Sequence, residues 1–242
     1  MNNKEHSCFF ENNHGTLLNI ADKLGLNLAT SPDSSLSTSW SGIFADFNND
    51  GFLDLYVSNG NVLLETPPTA IKDPNRLFLG NKQKTFTEIS QKAKIDDILS
   101  HRGAAVVDFD HDGDLDIISN VIKMGWSEFG GLDQKIKLYR NESKSKNKWI
   151  GIKMIGSENT NQYCIGCSVQ LLNSNGAQLK TVDNGTGHGS QSTRIMYFGL
   201  GKLKNTGILK LHFTDGTKLE LENISPNHVY EVDQKGNVIK LY

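Results

Sequence analysis

Apolar and polar residues alternate over short segments of this chain, and clusters of glycine, asparagine and aspartate separate those segments. The clearest case places these apolar residues on one face of two neighbouring segments: Leu209, Leu211, Phe213, Leu219 and Leu221. Alternation of this kind is typical of strands with one buried and one solvated face. Almost no segment shows a sustained helical period, so the pattern predicts an all-β fold.

Turn residues predict hairpins in the last part of the chain. Asn175-Gly176 and Asp215-Gly216 each stand between two alternating segments, which is a strong hairpin signal. WIGIKMIG and HVYEVDQKGNVIKLY are further candidate strands of the same kind. We therefore expect a small β-sandwich domain over residues 147–242.

The first part of the chain contains an internal repeat. SGIFADFNNDGFLDLYVSN at 41–59 aligns with GAAVVDFDHDGDLDIISN at 103–120. A second shared segment follows each copy, NRLFLGNKQKTFTEIS and then KIKLYRNES. A third version of that trailing segment opens the chain at Cys8. We expect about two and a half repeats over residues 1–146, with the chain starting part-way through a repeat.

Each repeat contains a nine-residue loop rich in aspartate, DFNNDGFLD at 46–54 and DFDHDGDLD at 108–116. Calcium takes six to eight oxygen ligands, and a loop that offers an oxygen at every second residue can surround it. A glycine at the sixth position allows the sharp turn. The pattern predicts the following ligands, with the seventh position (Phe52 or Asp114) contributing its backbone carbonyl: Asp46, Asn48, Asp50, Phe52 and Asp54 in one loop, and Asp108, Asp110, Asp112, Asp114 and Asp116 in the other.

An EF-hand begins with the same spacing but needs flanking helices and a glutamate at the twelfth position. That position holds Val57 in the first loop and Ser119 in the second, and the flanking segments are predicted strands. The EF-hand interpretation is therefore excluded.

With their trailing N-x-L-[FY] segments, the loops resemble the FG-GAP/VCBS repeats of calcium-binding β-propellers. KWIGIKMIG, CIGCSV, GTGHGSQ and YFGLG resemble the ASPIC/UnbV domain. The combination resembles the C-terminal half of the cartilage acidic protein-like family. The resemblance implies a partial β-propeller of about two and a half blades followed by a β-sandwich. It also implies a structural role for Ca2+ and a C-terminal fragment that lacks its N-terminal propeller blades.

Composition narrows the possible partners. The net charge is −2 and acids and bases are mixed along the chain, so no basic face is set aside for nucleic acid. No apolar run is long enough to span a membrane, and the opening MNNKEHSCFF lacks the features of a signal peptide.

Two other motifs have competing interpretations. Cys164 and Cys167 form a CxxC, which can be a redox pair or half of a zinc site, but the resembled family carries alanine at both positions. That favours small buried core residues. The glycine-rich run Asn184–Gln191 lacks the lysine of a phosphate-binding loop and the GxSxG of a hydrolase, which favours a loop shaped by glycine that lines a ligand surface.

The chain is therefore expected to be a non-catalytic, calcium-binding interaction or adhesion module that is extracellular, at the cell surface or periplasmic. Its partner would be a protein or a glycan. The alternatives are a calcium-dependent carbohydrate-binding protein, marked by exposed Trp40, Trp126 or Tyr139, and an accessory domain of a secreted enzyme. The best catalytic candidates, His188 and Asp183, lack a nucleophile.

Overall fold

The structure is a computed structural model, and it describes residues 8–26, 37–60, 73–122, 134–143, 145–157, 161–185 and 187–242. Within these ranges the chain forms seventeen β-strands and one short helix, so the all-β prediction is confirmed. No helix among the described residues is both long enough and apolar enough to cross a membrane.

A hairpin opens the described chain, as the trailing segment of the repeat predicts. Strands β1 (Phe10–Asn13) and β2 (Thr16–Asn19) pair antiparallel, and helix α1 (Ala21–Leu24) follows. The helix ends at Gly25, which adopts the left-handed conformation with φ 77°.

The first complete repeat folds into a four-stranded antiparallel sheet, which we call the first blade. Its strands lie in chain order: β3 (Ser39–Ala45), β4 (Asp54–Asn59), β5 (Arg76–Gly80) and β6 (Phe86–Glu88). The aspartate-rich loop 46–54 joins β3 to β4. The chain thus runs through an inner strand, the aspartate-rich loop and a second strand, and the blade ends in the outer hairpin of β5 and β6.

The second repeat folds into a three-stranded sheet, the second blade. It contains β7 (His101–Val107), β8 (Asp116–Ile122) and β9 (Gln134–Tyr139), and the loop 108–116 joins β7 to β8. The inner strands of the two blades are neighbours, and the Ser41 hydroxyl donates a hydrogen bond to the Arg102 carbonyl across them at 3.2 Å. Small residues on the inner strands permit this close approach. The two sheets, with the opening hairpin, agree with a partial propeller.

The remaining strands form two four-stranded sheets. One sheet has the order β13-β10-β16-β17 and the other the order β12-β11-β14-β15. Their bounds are β10 (Lys148–Ile155), β11 (Ser168–Asn173), β12 (Gly176–Thr181), β13 (Met196–Gly201), β14 (Ile208–His212), β15 (Lys218–Leu221), β16 (Val229–Asp233) and β17 (Val238–Lys240). The hairpin signals do not predict one feature of this sandwich, the parallel pairing of β10 with β16.

The two hairpin turns were predicted with different accuracy. Asp215-Gly216 lies at the turn between β14 and β15, with Gly216 at φ 92°. The Asn175-Gly176 placement was wrong by one residue, because Asn173 pairs with Gly176 and leaves Ser174 and Asn175 as the two turn residues.

The sandwich has its own core between the two sheets, and alternating residues such as Val169, Leu171 and Leu209 are fully buried in it. Cys164 and Cys167 also lie there, each 1% exposed. The prediction of buried core cysteines is confirmed, but the two residues are joined by a disulfide, so their interpretation as simple packing residues was incomplete.

A second core joins the blades to the sandwich. Trp149, Tyr197 and Val229 of the sandwich belong to one buried apolar cluster with blade residues such as Ile43 and Tyr56. The blades and the sandwich therefore share buried surface, and the aspartate-rich loops lie along this shared boundary.

Candidate metal centre

The two aspartate-rich loops have the same internal hydrogen bonds. The first aspartate accepts two backbone N–H groups: Asp46 Oδ1 and Oδ2 from Asp50 and Gly51 at 3.0 and 2.8 Å, and Asp108 Oδ1 and Oδ2 from Asp112 and Gly113 at 3.1 Å each. The last aspartate accepts the N–H that follows the first, at 2.8 Å in both loops. The repeat in the sequence is thus a repeat of loop geometry.

Backbone conformation explains the loop sequences. Both loops place their fourth and sixth residues in the left-handed region: Asn49 and Gly51 at φ 57° and 95°, and His111 and Gly113 at 63° and 89°. Glycine and asparagine adopt this region most readily. The two left-handed residues turn the chain back so that the first and last aspartates approach each other.

The second loop gathers three carboxylates. One oxygen from each of Asp108, Asp110 and Asp116 lies within 4.8 Å of the others, and this group could hold a metal ion. Two oxygens on one calcium ion at 2.3–2.6 Å each are separated by no more than about 5 Å. An all-oxygen donor set at this spacing fits calcium, and the group comes from the residues that the spacing predicts.

The remaining predicted ligands lie on the same loops. Asp112 Oδ1 and Asp50 Oδ1 each accept the N–H of the seventh residue at 2.9 Å. Asn48 Oδ1 accepts the Asp50 N–H at 2.9 Å. The side chain of Asp114 is engaged by a different partner, Asn49, which agrees with a seventh position that offers its carbonyl.

Burial of the carboxylates destabilises their charged form. Burial, with repulsion from the neighbouring carboxylates, raises the pKa of Asp46 to about 6 and that of Asp54 to about 8. Burial also raises the pKa of Asp108 and Asp116. A cation at each loop would favour the ionised carboxylates.

Two basic side chains lie near the loops. The Arg140 guanidinium is 2.6 Å from Asp110 Oδ2 at the second loop. Lys180, from the sandwich, interacts electrostatically with Asp46 of the first loop, and burial lowers the pKa of its ammonium group. Each loop thus has a basic side chain beside it, and the positive charge of that side chain would repel a bound metal ion.

The trailing segment of each repeat completes its loop. The Gly80 N–H donates to Asp54 Oδ1 at 2.9 Å, and the Asn141 N–H donates to Asp116 Oδ1 at 2.7 Å. With these bonds both oxygens of the last aspartate are occupied by backbone donors. The loop and the trailing segment are therefore one structural unit, which is why they recur together in the sequence.

The sandwich covers both loops with strand β13 and its neighbours. Gly199 lies against the first loop so closely that a Cβ on it would overlap Asp46 Oδ2. A Cβ on Gly113 would overlap the Trp149 ring, and the Tyr197 hydroxyl donates to Asp108 Oδ2 at 3.0 Å. The sequence does not indicate that these sandwich residues contact the loops, although two of them, Tyr197 and Gly199, belong to the YFGLG segment.

The connection between blades and sandwich is fixed to the loops. The Asn141 side-chain amide donates to the Phe47 carbonyl at 2.7 Å. The Ser145 hydroxyl and the Asn147 amide both donate to the Asn48 carbonyl at 2.9 Å. The connection therefore holds the first loop from outside while β13 covers it from the sandwich.

The glycine-rich run is a loop that contacts the blades. The His188 N–H donates to the Ser41 hydroxyl at 3.0 Å, and its ring lies edge-on to Trp40 at 5.0 Å. Trp40 also stacks under the Arg102 guanidinium at 4.3 Å, and Tyr139 is half-buried. These two aromatic residues are engaged within the protein, and Trp126 lies outside the described residues.

One arrangement resembles a catalytic triad but is closed to substrate. His101 contacts the Ser119 hydroxyl through Nδ1 at 2.9 Å and Asp97 through Nε2 at 2.6 Å. Ser119 and His101 are both 0% exposed, so no substrate can reach the hydroxyl. The group is a buried hydrogen-bond network that also includes Tyr139, whose hydroxyl donates to Asp97 at 2.5 Å.

Comparisons with known proteins agree with this arrangement. A family model described as FG-GAP-like repeat matches residues 67–119, and one described as ASPIC and UnbV matches residues 156–238. The chain is similar to Cartilage acidic protein 1 of Xenopus tropicalis, with 26% identity over 219 residues that cover 88% of this chain and 30% of that protein. Cartilage acidic protein 1 of Homo sapiens is 25% identical over 195 residues, which cover 78% of this chain and 27% of that protein.

The chain thus spans about 30% of the length of the Xenopus relative. The two family matches fall on the blades and on the sandwich, in the order in which the structure shows these parts. The chain is therefore similar to an FG-GAP-like repeat over residues 67–119 and to an ASPIC and UnbV domain over residues 156–238.

Proposed function

We propose that this chain is a non-catalytic interaction module that binds calcium at its two aspartate-rich loops and acts outside the cytoplasm. The observation that supports this most directly is the group formed by Asp108, Asp110 and Asp116, whose oxygens lie within 4.8 Å of one another. The first loop has the same hydrogen bonds and offers the same type of ligand.

Calcium would act structurally in this module. The ligands would be the side chains at positions one, three, five and nine of each loop, with the carbonyls of Phe52 and Asp114. Bound calcium would supply the positive charge that buried carboxylates such as Asp54, which is 0% exposed, otherwise lack. Because β13 lies on both loops, order in the loops would stabilise the boundary with the sandwich.

The proposed location follows from the affinity of such loops and from the relatives. Extracellular calcium modules have Kd values of about 10⁻⁴ to 10⁻³ M and are filled where free calcium is abundant. The similar proteins are named for cartilage, a tissue rich in extracellular matrix. We propose an extracellular, cell-surface or periplasmic site of action with a protein or glycan partner.

The test is thermal unfolding in EDTA and in about 2 mM calcium. With a Kd of about 0.1 mM, mass action stabilises the protein by about 2 kcal/mol per site. For a chain of this size each site then raises Tm by about 4–8 °C.

Asp108→Asn should remove the part of the calcium-dependent increase in Tm that the second loop contributes. Asp215→Asn is the matched control, because Asp215 lies in an exposed turn of the sandwich far along the chain from either loop. Equal Tm values in EDTA and calcium for the unmodified chain would refute the calcium assignment.

A further inference from the structure

The fourth residue of each loop reaches out of its own loop. It is not a ligand in the Dx[DN]xDGxxD pattern, yet in both loops it adopts the left-handed conformation. Asn49 of the first loop is 1% exposed and lies against the second loop. His111, its equivalent in the second loop, stacks instead on Tyr242 of the sandwich at 4.0 Å. The two equivalent residues therefore have different partners.

Asn49 joins the first loop to the second through two hydrogen bonds. Its side-chain amide donates to the Gly113 carbonyl at 3.1 Å and to Asp114 Oδ1 at 2.8 Å. Gly113 and Asp114 are the sixth and seventh residues of the second loop. They are the turn glycine and the residue whose carbonyl is the expected ligand, so Asn49 holds the part of the second loop that must be ordered to bind calcium.

The Asn49 backbone is itself held by the first loop and the sandwich. Its carbonyl accepts the Gly201 N–H at 2.9 Å, and the next residue, Asp50, donates its N–H to Asp46 Oδ1. Calcium bound in the first loop would order that loop and so fix the Asn49 amide in place. The second loop would then lose less conformational entropy when it binds calcium, which is positive coupling between the two sites.

Repulsion between two bound cations would act in the opposite direction. The first loop has three aspartates and the second has five, so a single dication leaves neither loop with net positive charge. The short-range contact through Asn49 is then the larger effect, because opposite charges in each loop offset most of the long-range repulsion.

We propose that Asn49 is a positioning residue that makes calcium binding at the two loops positively cooperative. This inference rests on the proposed calcium binding and concerns how the two sites depend on each other. Calcium in the first loop raises the affinity of the second, and the reverse coupling has the same size. One amide with two hydrogen bonds, one of them to a carboxylate, is expected to change affinity by about tenfold.

The experiment is isothermal titration calorimetry of the full chain with calcium. Asp50→Ala removes a calcium ligand from the first loop, so the titration reports calcium binding at the second loop. When Asn49 is present, this change should lower the affinity of the second loop for calcium by about tenfold. In the Asn49→Gly background it should change that affinity by less than twofold, because glycine keeps the left-handed backbone but removes the amide.

Two further variants make the test specific. His111→Gly removes the equivalent residue of the second loop, which contacts the sandwich, and should leave the coupling between loops intact. Asn49→Asp replaces the donor with a carboxylate facing Asp114 and should make the coupling negative. Tm values in EDTA verify that each variant is folded.

The outcomes are distinguishable. If calcium binds both loops with affinities that do not depend on each other, the cooperativity inference is overturned while the calcium function stands. Coupling that survives Asn49→Gly, or that is lost equally in His111→Gly, would also overturn the role of Asn49. If no heat of calcium binding is measured for the native chain, the proposed function fails and the coupling fails with it.

Discussion

Replacing Gly199 by alanine should damage the first aspartate-rich loop, although Gly199 belongs to the sandwich. A Cβ at this position would overlap Asp46 Oδ2 and lie 2.6 Å from the backbone carbon of Asn49. Asp46 Oδ2 can move away by rotation of its side chain, but the Asn49 backbone is held by the hydrogen bond that its carbonyl accepts from the Gly201 N–H. The strand and the loop must therefore separate.

The size of the effect follows from the type of contact. Overpacking in a well-packed region costs about 1–3 kcal/mol, and contact with backbone places Gly199→Ala at the upper end. For a chain of this length, about 3 kcal/mol corresponds to a decrease in Tm of about 6–12 °C. Displacement of Asp46 should also weaken calcium binding at the first loop, while the second loop still binds calcium with the lower affinity that the proposed coupling predicts.

The assay combines thermal unfolding with calcium calorimetry. Gly42→Ala is the matched control, since its Cβ would meet only Leu55 Cδ1 at 3.9 Å, an ordinary contact. We expect its Tm within about 2 °C of the native value, because substitutions without a steric clash usually change stability by less than about 0.5 kcal/mol. A Gly199→Ala protein with native Tm and two native calcium sites would refute the proposed docking of the sandwich on the loop.

Three further outcomes are expected. Lys180→Met should strengthen calcium binding at the first loop by about threefold to tenfold, because it removes a nearby positive charge, and unchanged calorimetry would contradict this. Burial favours the protonated acid at Asp97, but hydrogen bonds from His101, Lys137 and Tyr139 outweigh it and lower the pKa of Asp97. The stabilisation from ionised Asp97 is therefore present above the unfolded pKa of 3.8 and is lost as pH falls further. The Tm difference between the native protein and Asp97→Asn should therefore be larger at pH 5 than at pH 2. Asp112→Ala should abolish one calcium-binding event and Asp114→Asn only weaken it, and equal losses would show that the seventh residue ligates through its side chain.

The features that sequence predicts well here are local and repeated. The loop spacing from Asp46 and from Asp108 predicts two equivalent turns, and the structure shows the same hydrogen bonds in both. Alternation predicts which leucines of β14 face the core. In each case a few neighbouring residues determine the geometry, so the signal lies within one segment.

The features that sequence does not predict depend on contact between distant segments. Nothing in YFGLG indicates that Gly199 meets Asp46, because the requirement for glycine arises only when the loop is docked. The parallel pairing of β10 with β16 is likewise a long-range choice. The hairpins predict a sandwich domain over residues 147–242, but they do not indicate that Trp149 and Tyr197 are buried against the blades. An isolated sandwich would expose both, so we now expect it to be less stable alone than in the whole chain.

The attachment of Ser145 and Asn147 to the Asn48 carbonyl has a consequence for recognition. A connection tied in this way does not act as a hinge, so the blades and the sandwich present one composite surface of fixed shape. A partner that touches both parts would lose little orientational entropy on binding, because the two halves of its epitope are already in register. Substitutions that remove these two donors, at Ser145 and Asn147, would loosen the connection, and such a partner would then have to order it on binding.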